Sequence, residues 1–362
     1  MIRPRAPKAS QTRYTIDSLS FAVPQLSNTP PIAYGSLQKV SSFLPELLIR
    51  PINRGEITQQ KATHSSSFDA CLLFADISGF TALAERLNLE GEEGAEILTL
   101  TLNRYFGSFI DLVYAYGGDV AKFAGDALLA VWPLQDQQYA LPVATRTHAC
   151  AQALQAFMEN QPPTSHGIAL KMKVAISRGP MHMACIGGLL ARREMVLSSP
   201  ALAELGHAND QAVAGDLIVC PSIRPLLKAD VKPLDTPALE NRALEQLTPS
   251  TLATGLEFIP AAIRQSLDAD QDAWVNENRQ VTVLFINLPG FSGDLAVQAT
   301  QTCMIALQRS LYSVEGSVNK ISVDDKGVSL MGCLGMPPFS HADDPQRAVQ
   351  ATMLIHTELR KL

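Results

Sequence analysis

Asp76 closes the apolar run ACLLFAD, and Asp126 sits between the apolar stretches VAKFA and ALLAVW. The first run reads as a strand buried on both faces. The Gly125-Asp126 pair reads as the tight turn of a hairpin. Where the strand end and the turn meet, two carboxylates and a strand-end carbonyl converge. Hard oxygen donors of this kind suit Mg²⁺, which shares its coordination with phosphates. Two such ions can activate a hydroxyl and neutralise a leaving pyrophosphate. Directly after Asp76, Ile77-Ser78-Gly79-Phe80-Thr81 turns into a helix. The N–H groups and dipole of a helix start attract anions; Gly79 permits close approach and Thr81 offers a hydroxyl. Taken singly, Asp76 is a helix cap and Asp126 a turn residue; taken together beside a helix start, they read as a metal and phosphate site. Lys122, in the otherwise apolar strand VAKFA, needs a partner or an edge position.

The surrounding stretch recurs in the chain. CLLFADISGFTALAERL, a helix-length segment and GGDVAKFAGDALLAVW are echoed by VTVLFINLPGFSGDL, another helix-length segment and EGSVNKISVDDKGVSLMGCLG. Such a repeat has to be settled before any fold is assigned. Asp76 becomes Asn287 in the second copy, and Lys122 is matched by Lys320. A duplication that diverges at a carboxylate points to one shared site with unequal halves.

The elements that position these residues follow from periodicity. GAEILTLTLNRYFGSFIDLVYAY places Leu98, Leu102, Phe106, Phe109, Val113 and Tyr116 at helical spacing, and Gly117-Gly118 ends it. After the hairpin, TRTHACAQALQAFM is a helix and KMKVAIS, carrying Lys173, a strand. The order β, α, β-hairpin, α, β is the ferredoxin-like plan, a sheet with helices on one face. The second copy repeats it as far as the helix DPQRAVQATMLIHTEL and lacks the closing strand. We therefore expect an α+β protein of tandem ferredoxin-like (βαββαβ) domains, the second incomplete, with an open sheet edge and a sequence that is a fragment. The expected limits are a flexible N-terminal segment at 1–38, a first domain at 39–225, a connector at 226–277 and a partial second domain at 278–362. FLPELLIRP is expected to pack a short helix on the first domain.

The chain of 362 residues is long enough for about two domains. Its net charge of −6 argues against general nucleic-acid binding. Six scattered cysteines, with no C-x-x-C pair, read as buried free thiols of a reducing compartment. No apolar run reaches the ~18 residues of a membrane span, and the N-terminus lacks a secretory core. The expected location is cytoplasmic; the basic, acid-free start MIRPRAPKASQTRYT leaves organelle targeting as an alternative.

Together, FADISGFTALAE, GGDVAKFAGDALLAVW, VTVLFINLPGF and GSVNKISVDDKG resemble the class III nucleotidyl cyclases, and among them the soluble, bicarbonate-responsive adenylyl cyclase type. The resemblance implies conversion of ATP to cyclic AMP and pyrophosphate between two halves of an intramolecular pseudo-dimer. It implies that Asp76 and Asp126, with the Ile77 carbonyl, hold two Mg²⁺ or Mn²⁺ ions, or Ca²⁺ at one site. Ile77, Ser78, Gly79, Phe80 and Thr81 would hold the phosphates, with Lys173 facing them. Lys320 would read the base, where guanylyl cyclases tend to carry glutamate. Bicarbonate would lie between Lys122 and an arginine of the first half; Gly206 falls at that arginine's place, and Arg192 and Arg193, expected on a loop, are the nearest cations. In such families a second base-reading residue and the Asn and Arg that stabilise the transition state lie beyond the last helix read here, so poor turnover is expected of this sequence. One alternative is a catalytically impaired cyclase-like module that binds nucleotide and regulates attached domains. Another is a diguanylate cyclase, after the GGD of GGDV, but here that triplet precedes a strand and leaves the duplication unexplained.

Overall fold

Two short helices, α1 (Tyr34–Ser41) and α2 (Glu46–Asn53), lead into the 15-residue strand β1 (His64–Ser78). The helices α3 (Phe80–Asn88) and α4 (Glu92–Ala115) follow, then the hairpin β2 (Asp119–Ala124) and β3 (Ala127–Leu134). After them come α5 (Ala140–Glu159), β4 (Lys171–Gly187), β5 (Arg193–Ser198), α6 (Pro200–Gln211) and β6 (Leu217–Val219). The computed structural model describes residues 34–164, 166–227, 244–268, 280–288, 297–324, 327–337 and 339–362. The expected N-terminal segment up to residue 33 and the connector stretches 228–243 and 269–279 lie outside the described residues.

The first sheet has the order β2-β3-β1-β4-β5, with β6 running parallel to β4. Its four strands β2-β3-β1-β4 give the antiparallel ferredoxin-like arrangement. β1 is central because both its faces are apolar: Ala70, Cys71, Leu72 and Leu73 are fully buried. Cys71, Leu73, Ala75 and Ile77 pack with Phe109 and Val113 of α4 and Leu154 and Met158 of α5. Ala70 and Leu72 face the opposite way and pack with Met181, Met183, Ala201 and Leu205. Burying each large aliphatic side chain is worth roughly 1.5–3 kcal/mol. The helices are thus not confined to one face, as the sequence plan had them: α6 covers the second, equally apolar face. β4, expected over KMKVAIS, runs on for 17 residues.

FLPELLIRP does form a helix on the first domain. The Leu47 N–H near the start of α2 donates to Asp119 Oδ2 at 2.9 Å. The aspartate of GGDV is therefore engaged in ending a helix, as a carboxylate at a helix N-terminus can do.

The second copy follows α7 (Leu252–Leu256) and α8 (Ala261–Asp268). It comprises β7 (Thr282–Leu288), α9 (Val297–Tyr312), β8 (Ser317–Asp324), β9 (Gly327–Leu334) and α10 (Asp344–Leu359), with sheet order β7-β9-β8. The duplication survives in strand register. Lys122 pairs with Leu129 across a bulge after Val120, and Lys320 pairs with Met331 across a bulge after Val318. Asp76 pairs with Ala127, and Asn287 with Ser329. A neutral amide therefore stands in the second copy where the first has Asp76. Among the described residues no strand pairs with the outer edge of β7, and its Phe285 is 84% exposed.

The two copies share a packed contact. Ile186 of β4 and Val196 of β5 belong to the hydrophobic core of the second copy. Gln301 of α9 makes a paired contact with the Gly187 peptide, accepting from its N–H at 2.7 Å and donating to its carbonyl at 2.8 Å. Two turns further along the helix face, Gln308 donates to the Arg192 carbonyl at 2.8 Å and accepts from the Leu189 N–H at 3.2 Å. All six cysteines are buried and free, as their spacing predicts. Among the described residues no helix is long and apolar enough to cross a membrane.

Candidate active site

Asp76 lies near the end of β1, directly across from Lys173 in the β1–β4 register. Its Oδ2 is 2.9 Å from Lys173 Nζ, each side chain about one-fifth exposed. The Asp126 turn is tied to the same strand end, because the Ile77 N–H donates to the Asp126 carbonyl at 3.2 Å. The two carboxylates are close enough to repel. Burial pushes the Asp126 carboxyl above its usual range and Asp76 pushes it further, while its own backbone hydrogen bond and Lys173 pull it back. Two carboxylates against one lysine leave a local excess of negative charge.

α3 begins where the sequence placed it. Gly79 stands at its N-cap with φ +93°, and no side chain caps the helix. That left-handed backbone favours glycine strongly. Ser78 is half-buried, Phe80 packs against the core, and Thr81 is exposed. The structure therefore brings Asp76, Asp126 and Lys173 together, with Ile77 to Thr81 leaving from the same strand end.

Lys122 and Lys320 form a second group, at the contact between the copies. Lys122 Nζ donates to the Ile321 carbonyl of β8. Burial, with a smaller contribution from Lys320, lowers the Lys122 ammonium to about 8 against the opposing pull of Glu194. Burial also lowers Lys320.

The arginines differ from the sequence expectation. Arg193 opens β5 and Arg192 precedes it, and both are buried rather than exposed on a loop. Arg192 Nη2 lies 2.7 Å from Glu194 Oε1. Arg193 Nε lies 2.9 Å from Glu257 Oε2, and its other nitrogens donate to the Thr58 and Gln59 carbonyls. Gly206 sits in α6 with open space where a side chain would be. Sequence reasoning missed Glu194, Gln301 and Gln308. The available signal was polarity in apolar company: a glutamate in REMVLS, and two glutamines a heptad apart in AVQATQTCMIALQRSLY.

Among the described residues no group of three or more His, Cys, Asp or Glu gathers. The donor set is two carboxylates and a backbone carbonyl, all hard oxygens in a negatively charged corner. That set fits Mg²⁺ or Mn²⁺ sharing its remaining positions with water and phosphate.

The family described as the adenylate and guanylate cyclase catalytic domain matches residues 63–231. Residues 63–231 are a class III cyclase catalytic domain. This cyclase domain contains Asp76, Ile77 to Thr81, Lys122, Asp126 and Lys173; Lys320 lies in the second copy, outside the matched span. The chain is similar to adenylate cyclase type 10 of Rattus norvegicus, 25% identical over 88% of the chain and 22% of the relative. It is also similar to adenylate cyclase 1 of Rhizobium meliloti (strain 1021), 30% identical over 31% of the chain and 15% of the relative. Among solved structures, the adenylyl cyclase CyaB from P. aeruginosa is 21% identical, over 45% of this chain and 82% of that one, with a TM-score of 0.38. The chain thus spans about a fifth of the length of the type 10 relative.

Proposed function

We propose that the chain is the catalytic region of an adenylyl cyclase, converting ATP to cyclic AMP and pyrophosphate at a site shared by its two copies. The observation that carries this reading is the asymmetry of the repeat. One copy gathers Asp76, Asp126 and Lys173 beside the Gly79 turn, and the other has Asn287 at the register position of Asp76. An enzyme with one active site per pair of halves needs only one set of carboxylates.

In this reading Asp76, Asp126 and the Ile77 carbonyl hold two Mg²⁺ or Mn²⁺ ions, or Ca²⁺ at one of the two positions. When bound, the ions would favour ionisation of the ribose 3′-hydroxyl and neutralise charge on the phosphates. The chain's own residues do the positioning. The turn from Ile77 to Thr81 offers backbone N–H groups to the triphosphate, with φ +93° at Gly79 keeping a side chain out of the approach. Lys173 neutralises Asp76 in the resting protein and turns to the phosphates when cations take its place. Lys320 reads the adenine, and the glutamines of α9 hold β8 and its lysine in place against the cyclase domain. The curated relatives named as adenylate cyclases support ATP over GTP as substrate.

The test is cyclic AMP formation from ATP with Mg²⁺ or Mn²⁺, beside GTP as competitor substrate and a Lys320→Glu variant. ATP turnover that falls in the variant supports the assignment. Equal turnover of ATP and GTP would remove Lys320 from the role of base reader.

A further inference from the structure

The contact between the two copies contains a buried carboxylate that the catalytic scheme does not use. Glu194 lies on β5 two residues from Val196, so both point to the same face, and Val196 enters the core of the second copy. Glu194 is 8% exposed. Its Oε1 is 2.7 Å from Arg192 Nη2, and it attracts Lys122. Lys122 in turn donates to the Ile321 carbonyl and is repelled by Lys320. Tyr312 of α9 faces the same cluster, sensing Arg192, Glu194 and, from α8, Arg264. Two cations, Arg192 and Lys122, thus converge on one carboxylate, with Lys320 of the second copy beside Lys122.

We propose that Glu194 is the resident anion of this contact, its carboxylate filling the position between Arg192 and Lys122 that a dissolved small oxyanion would otherwise take. Buried cations require a paired anion. A carboxylate carried by the chain meets that need at any solute concentration once it is ionised, whereas a dissolved one would make the contact depend on its concentration. The chain therefore has no vacancy for bicarbonate at Lys122 while Glu194 is present, and truncating Glu194 creates one. The consequence for turnover rests on the cyclase reading; the consequence for anion binding does not. Burial pushes the Glu194 carboxyl up to about 7, Arg192 and Lys122 pulling against it, so the group is an anion in mildly alkaline solution.

The experiment compares wild type, Glu194→Ala, Glu194→Gln and the double variant Glu194→Ala/Lys122→Met. Each is melted at pH about 8 in sodium acetate or in equal sodium chloride. A ligand that binds only the folded state raises its stability by mass action. Acetate is expected to raise the Tm of Glu194→Ala by about 2 °C over chloride, the shift expected for about tenfold excess over Kd in a chain of this size. Wild type, Glu194→Gln, whose amide fills the space, and the double variant are expected not to move. If Glu194→Ala does not fold, Glu194→Ser takes its place in every arm. An acetate shift of wild type equal to that of Glu194→Ala would overturn the proposal. So would no shift in a folded Glu194→Ala, or one that persists without Lys122. In the same samples cyclic AMP formation is expected to fall in Glu194→Ala and to return partly with acetate. Absence of cyclic AMP from wild type itself would fail the cyclase reading alone, leaving the melting result to decide the anion.

Discussion

Replacing Gln308 by alanine tests how the two copies are joined. The Gln308 side chain is fully buried and holds two backbone groups of the other copy, the Arg192 carbonyl at 2.8 Å and the Leu189 N–H at 3.2 Å. Truncation leaves both without that partner in a region water does not freely reach. Each buried group so abandoned costs roughly 1–3 kcal/mol. Leu189 lies in a partly exposed turn and recovers some of this from solvent, so Gln308→Ala is expected to cost about 2–4 kcal/mol. Gln301 holds the Gly187 peptide two turns away on the same helix, so the double variant is expected to be non-additive once α9 has lifted from the turn. The assay is urea unfolding followed by tryptophan fluorescence and far-UV circular dichroism. Trp132 lies in the core of the first copy, and the fluorescence is followed in a Trp274→Phe background so that Trp132 alone reports on that copy. The variant should show the dichroism transition moving to lower urea while the Trp132 transition moves less. Gly187→Ala should act in the same direction, because its φ is +94° and an added Cβ would lie 2.8 Å from Gln308 Nε2. A Gln308→Ala variant within about 0.5 kcal/mol of wild type, with both probes still coincident, would refute the idea that these glutamines join the copies.

Gly79→Ala places a side chain on a backbone at φ +93° and should cost about 1–2 kcal/mol in thermal melts; an unchanged Tm would mean the turn relaxes without strain. Lys173→Met removes the cation 2.9 Å from Asp76 and leaves two mutually repelling carboxylates. Added Mg²⁺ should therefore raise the Tm of this variant more than that of wild type, and an equal rise would separate Lys173 from the metal site. Glu194 gives a pH prediction. Its folded-state pKa is raised from 4.5 to about 7, so its contribution to stability is complete below about pH 4.5 and is lost as pH rises through about 7. The fall in stability between about pH 5 and 7 should be shallower in Glu194→Gln; an identical slope would show that Glu194 does not titrate there.

Much of the fold was legible because its strands carry unambiguous patterns. ACLLFAD was long, apolar and bounded by a turn, so a central strand with two buried faces was the natural reading, and Asp76 at its end followed. The Gly125-Asp126 turn was equally plain. The paired bulges before Lys122 and Lys320 were not, since a bulge leaves no clear mark on an apolar strand, yet they establish the equivalence of the two lysines better than the sequence match does. The second face of the first sheet was missed because PALAELGHANDQ has small residues where a core helix usually has large ones; Ala201 and Leu205 suffice because Gly179 of β4 lets the helix approach closely, a Cβ there falling 3.0 Å from that of Ala201. Arg192 and Arg193 were misread, and Glu194 was passed over, for another reason. Three consecutive charged residues normally mark a solvated loop, and here they are buried because Arg192 and Glu194 pair with each other and further partners arrive from elsewhere in the chain: Glu257, Thr58, Gln59 and Lys122. Pairings of that kind depend on tertiary packing and leave no local periodicity to read.

The decisive measurement is cyclic AMP formation from ATP with Mg²⁺ or Mn²⁺ by wild type, Asp76→Ala and Asp126→Ala, each checked for folding by dichroism. Wild-type activity that is lost in both variants, while Asn287→Ala in the second copy retains it, is the predicted result. Cyclic AMP formed at the wild-type rate by a folded Asp76→Ala would contradict the assignment of the paired aspartates as the catalytic centre.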